Sequence, residues 1–117
     1  MKELYFKKKS ITYKKERVKT TVERKKLTDE EIESRLAQLE EWEVEENNLK
    51  KHFEFDDFAE SLEFVNKVGA IAEKMDHHPD IYFGWGYAEF FITTHDVGGG
   101  LTESDFELAR AIENIEG

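Results

Sequence analysis

Phe58 to Pro79 reads FAESLEFVNKVGAIAEKMDHHP, and this stretch decides the fold. Phe58, Leu62, Val65, Val68, Ala72 and Met75 recur every three or four residues. That rhythm predicts an amphipathic helix of about five turns. Asp56-Asp57 supplies an N-cap just ahead of it. Pro79 supplies the stop, because a proline disfavours α conformation in the residue before it. A single long helix with one apolar stripe needs a partner surface, and the flanking segments provide one.

Upstream, Thr28 caps a first helix with Glu31 as its capping-box partner, and Ile32, Leu36 and Leu39 follow at helical spacing. Trp42 to Glu45 then alternates, Glu46-Asn47-Asn48 forms a turn, and Leu49, Lys51, Phe53 and Phe55 share one side of a second strand. Downstream, Tyr82 to Thr94 is aromatic and β-branched, with Gly84 and Gly86 marking a turn between two strands. Gly98-Gly99-Gly100 is a break, and Thr102 to Asp105 caps a last helix with Phe106, Ala109, Ile112 and Ile115 inward. The order α-β-β-α-β-β-α predicts an α+β fold, an antiparallel sheet covered by helices.

Charge divides the chain. Residues 1–26 hold 11 basic and 3 acidic side chains, a local charge of +8. Residues 27–117 hold 6 basic and 24 acidic ones, or -18, within a total of -10. We therefore expect a basic N-terminal extension (1–26) before one domain (27–117). Ile11, Tyr13, Val18, Thr20 and Val22 give the extension β character, so it is either an added edge strand or a disordered tail. The acidic body repels polyanions, which argues against a nucleic-acid partner.

Composition excludes more. No apolar run reaches the roughly 18 residues of a membrane span, and no signal-peptide core follows the first lysines. The chain has no cysteine, which removes disulfides and thiolate chemistry and suits a reducing cytoplasm. High charge of both signs is also a habit of heat-adapted proteins.

Histidine is the chemistry that remains. His77, His78 and His95 fall within nineteen residues, near Asp76, Asp80 and Asp96. Imidazoles titrate near neutrality, so histidines in one cleft can both give and take a proton. A histidine that ends a helix can also simply neutralise its dipole, and two histidines with a carboxylate could hold a metal. Asp105, three residues after Thr102, is explained by helix capping alone. His52 reads as an exposed strand residue. Phe83 and Trp85 read as core, or as a stacking wall for a flat heterocycle.

Glu73-Lys74-Met75-Asp76-His77-His78-Pro79, the aromatic Trp85, Thr94-His95-Asp96 and Gly100-Leu101-Thr102 leading to Asp105 resemble the pterin-4a-carbinolamine dehydratase family. The close match covers about 45 residues, and a looser pattern extends from about Leu27 to the C-terminus. The resemblance implies a four-stranded antiparallel sheet with helices on one face, and a homodimer or homotetramer. It implies dehydration of 4a-hydroxytetrahydropterin to quinonoid dihydropterin without metal or organic cofactor. It matches His77 and His95 to acid/base roles and His78 to positioning the pterin. Glu73, Asp76, Pro79, Trp85 and Asp105 fall on its substrate-site positions. Two features depart from it: Phe83-Gly84-Trp85-Gly86 lacks the asparagines common beside the aromatic, and the loop after His95 is one residue longer. The family also contains non-catalytic members that serve as dimerisation or transcription cofactors or assist assembly, and the basic extension suits a protein partner.

Overall fold

In the computed structural model, the structure describes residues 25–95 and 100–115. Nearly all of the basic extension, and Asp96, Gly98 and Gly99, lie outside them. Helix α1 (Asp29–Leu36) is followed by strands β1 (Glu43–Glu45) and β2 (Asn48–Glu54) and helix α2 (Phe58–Met75). Strands β3 (Asp80–Gly84) and β4 (Tyr87–Ile92) and helix α3 (Glu103–Glu113) complete the order expected from sequence.

The four strands form one antiparallel sheet in the order β1-β2-β4-β3. Leu49 pairs with Ile92 and Phe53 with Ala88, so the inward faces of β2 and β4 coincide. Leu49, Ala88, Phe90 and Ile92 meet Phe64 and Val68 of α2 and Phe106, Ala109 and Ile112 of α3 in one core. Burying a side chain as large as Phe90 or Phe106 contributes about 2–3 kcal/mol. Lys51 shares that inward face, but its ammonium reaches Glu113 at 2.7 Å and the Glu40 carbonyl at 2.8 Å. Lys50, His52, Tyr82 and Glu89 lie on the other face. His52 is exposed as expected, stacked on Tyr87 between Glu89 and Glu54.

The turns follow their residues. Glu46 and Asn47 both take positive φ between β1 and β2, the geometry of a two-residue hairpin that matches strand twist. Trp85-Gly86 joins β3 to β4, with Gly86 at φ 82. A side chain at Gly86 would meet the Phe55 carbonyl at 3.2 Å as well.

Two expectations change. Helix α1 ends at Leu36, so Leu39 packs against the core from the turns that follow. Helix α2 ends at Met75, four residues before Pro79, and Asp76 is the cause. Asp76 is left-handed (φ 57, ψ 41). Its N–H reaches the Glu73 carbonyl, and the His77 N–H reaches the Ala72 carbonyl at 3.1 Å. That is the paired-bond helix terminator that usually carries glycine.

Candidate active site

The terminator of α2 positions the first site residue. With its backbone tied to Ala72, His77 turns its ring inward and is only 6% exposed. Its Nε2 lies 2.5 Å from Oδ1 of Asp105, which is fully buried. The other oxygen of Asp105 accepts from the Thr94 hydroxyl and from the Thr102 N–H, both at 2.8 Å. Thr94 and Thr102 share a further hydroxyl contact of 2.9 Å. A carboxylate only accepts, so the proton between ring and carboxylate sits on Nε2. Among the described residues no buried polar side-chain atom lacks a hydrogen bond. With Nε2 engaged by Asp105, Nδ1 is the ring nitrogen left to exchange a proton with another group.

Three elements supply this cluster. Asp105 comes from the first turn of α3, where it also caps the helix through the Thr102 N–H. Thr94 follows β4 and bridges to Gly100. It continues the inward alternation of Ala88, Phe90 and Ile92, which brings a hydroxyl to the buried carboxylate. His95 is the next residue and is exposed, on the solvent side of the same segment. His78 is exposed too, and its Nε2 lies 2.6 Å from Glu73 one turn back on α2. Asp76 and Pro79 flank the two histidines in the connection to β3.

The structure thus brings together His77, Asp105 and the backbone of His95, and places His78 with Glu73 beside them. Trp85 is elsewhere. Ser61 bonds the Gly84 carbonyl at 2.6 Å, which fixes the β3–β4 turn at the N-terminal end of α2. From Ser61 to its end at Met75 the helix runs roughly 21 Å at 1.5 Å per residue, and His77 lies beyond that end. Reading Trp85 as core also fails: it is 71% exposed, because the two-residue turn carries its side chain past the sheet edge. Phe83 is core-packed as expected, stacked on Phe58 at 5.7 Å.

Thr94 is the participant whose side chain the sequence left without a role, and Thr102, expected only as a helix cap, joins it through a shared hydroxyl contact. Strand alternation through residues 88, 90, 92 and 94 was the available signal. Among the described residues no group of three metal-binding side chains converges. Nearby, Glu103 bonds Arg35 of α1 at 2.6 Å and Arg110 at 2.9 Å. Partial burial pushes its carboxyl up, but Arg110 and Arg35 outweigh that and hold it below the usual value of 4.5.

The α+β sheet and the histidine held on a buried carboxylate at the end of α2 can be set beside known proteins. Residues 25–115 match the family model for pterin 4 alpha carbinolamine dehydratase, and the chain belongs to that family. A candidate pterin-4-alpha-carbinolamine dehydratase of Rubrobacter xylanophilus is 49% identical over 90 residues, covering 76% of this chain and 83% of the relative. One from Sulfolobus acidocaldarius is 47% identical over 91 residues, covering 78% and 99%. A solved Brucella melitensis structure, described as a transcriptional coactivator/pterin dehydratase, superposes with a TM-score of 0.75 at 29% identity. It covers 80% of this chain and 100% of its own. A pterin dehydratase-like protein described as a RuBisCO assembly factor shares the fold at 23% identity and a TM-score of 0.50, covering 62% and 82%. Among the described residues no helix is long and apolar enough to cross a membrane.

Proposed function

We propose that this chain dehydrates 4a-hydroxytetrahydropterin to quinonoid dihydropterin by histidine acid/base catalysis. The observation that carries the reading is the buried Asp105–His77 pair at the α2 terminator. The reaction removes the C4a hydroxyl as water and the N5 proton, leaving a C4a–N5 double bond. One group must protonate the departing oxygen and another must accept the N5 proton. Asp105 holds His77 through Nε2 and stabilises the imidazolium, so His77 is suited to accept a proton at Nδ1. His95, exposed beside Thr94, is suited to protonate the hydroxyl. His78, braced by Glu73, with Asp76 and Pro79, shapes the pterin site at the start of β3. The substrate is a small molecule that leaves with one water less, and each histidine is restored by proton exchange with solvent.

The test is the spectroscopic rate of quinonoid dihydropterin formation. His77→Ala and His95→Ala should each lower it by about 10²–10⁴, the usual range for acid/base groups. Parent-like rates in both variants would refute the assignment. A second reading, a non-catalytic interaction module of the same fold, is favoured by Tyr82 and Trp85, which are 60% and 71% exposed. The same assay separates the two, since the module reading requires no dehydration by the parent chain.

A further inference from the structure

A groove runs between α1 and β1, about 410 Å³ in volume. Leu27, Ile32, Leu36 and Val44 line it, with Asp29 and Glu33 on its lip. Its apolar lining is under-covered. Helix α1 buries none of its residues, although Ile32 and Leu36 face the core. Val44 pairs with Leu49 and so faces the helical side of the sheet, yet it is 40% exposed.

The chain itself enters at one end of this groove. The Leu27 N–H bonds the Leu101 carbonyl at 2.8 Å. The Lys26 side chain lies across Gly100, its Cε 2.6 Å from where a Cβ would stand. Residues 1–24 therefore depart from beside the groove. They carry nine basic and three acidic side chains. The surface they would meet carries Asp29 and Glu33 of α1. Within the departing segment, Val18, Thr20 and Val22 alternate with Lys19, Thr21 and Glu23. Extended, that pattern offers one β-branched face with Arg17, Lys19 and Arg24 around it. Residues 18–24 can span up to roughly 23 Å, against about 12 Å for the eight residues of α1.

We infer that residues 18–24 of the same chain dock in the α1–β1 groove, Val18 and Val22 covering Ile32, Leu36 and Val44 while the basic side chains pair with its acidic lip. Leu101 leads directly into Thr102, whose N–H holds Asp105. The docked segment thus braces the strip of chain that supports the His77 site.

The absence of native cysteine makes the test direct. In the full chain, Val22→Cys with Val44→Cys should close an intrachain disulfide about tenfold faster than Val22→Cys with Glu63→Cys. Glu63 borders an equally acidic cleft by Phe55 at the other end of the sheet, so the control removes non-specific charge attraction. Closure should slow at about 0.3 M salt, where the charge pairs are screened. Equal rates for the two pairs, or links formed only between chains, would overturn the inference. The second case would give the groove to a second copy's extension. Independently, Val18→Asp with Val22→Asp should speed amide exchange in α1 by about tenfold. Unchanged exchange would also overturn it.

Discussion

Asp105 accepts three hydrogen bonds with two oxygens, and each comes from a different part of the chain. The Thr102 N–H belongs to its own helix, the Thr94 hydroxyl to the end of β4, and the His77 ring to the end of α2. The sequence spacing identified Asp105 as a capping residue, and it does cap. The same i, i+3 spacing hid its second task, because nothing local announces a histidine 28 residues away. Thr94 separates the two tasks. Thr94→Val keeps the shape but removes one donor from a buried carboxylate, which should cost about 1–3 kcal/mol. If the His77–Asp105 pair works as proposed, dehydration should also fall, by about tenfold. Thr94→Ser should restore most of the rate. Stopped-flow rates beside thermal melts decide it: a rate loss that Ser fails to rescue would mean that Thr94 acts only through packing.

Element ends, rather than element middles, build this site. The five turns of α2 were legible from Phe58 to Met75 because their apolar spacing is strict. The terminator was not legible, since proline is the louder signal and Asp76 a quiet one. Left-handed backbone disfavours a Cβ by roughly 1–2 kcal/mol, least for Asp, Asn and Gly. Asp76→Val should therefore destabilise the fold by about 1–2 kcal/mol more than Asp76→Gly, measured by denaturant titration. Similar stabilities would show that the left-handed turn is not maintained. Trp85 was misread as core for a comparable reason, because a large aromatic is usually buried and the two-residue turn that ejects it is a property of the glycine beside it. Helix α1 is tied differently, by Arg35 to Glu103. Since Glu103 is held below 4.5 in the folded state, its ion pairs support the fold above that pH and weaken as pH falls through the lower folded value. The group is substantially exposed, so the effect is at most about 1 kcal/mol. Glu103→Gln should remove that acid-range slope from the melting curve, and an unchanged slope would assign it to other carboxylates.

At the scale of the whole chain, the boundary drawn from charge and the boundary of the family match nearly coincide, at Lys26 and Lys25. The charge boundary was drawn from composition alone. What composition could not supply was the attachment, where Lys26 covers Gly100 and Leu27 bonds Leu101. Those two contacts argue that a truncation should retain Lys25 and Lys26. Removing residues 1–24 takes away nine basic and three acidic side chains and moves the net charge from -10 to -16. A more negative compact state repels itself more strongly, and added salt relieves that repulsion. In the full chain, salt has a second, opposite effect, since it also screens the pairs between the extension and the acidic lip of the groove. The melting temperature of the truncated chain should therefore rise more steeply between about 0.02 and 0.3 M salt than that of the full chain. Its dehydration rate at saturating pterin should stay within about threefold of the parent, because the proposed acid/base groups all lie between Glu73 and Asp105 and effects of acid/base groups themselves run to 10²–10⁴. Equal salt slopes would leave the extension electrostatically uncoupled from the domain. A rate loss beyond about tenfold would instead make the basic segment part of the catalytic site itself.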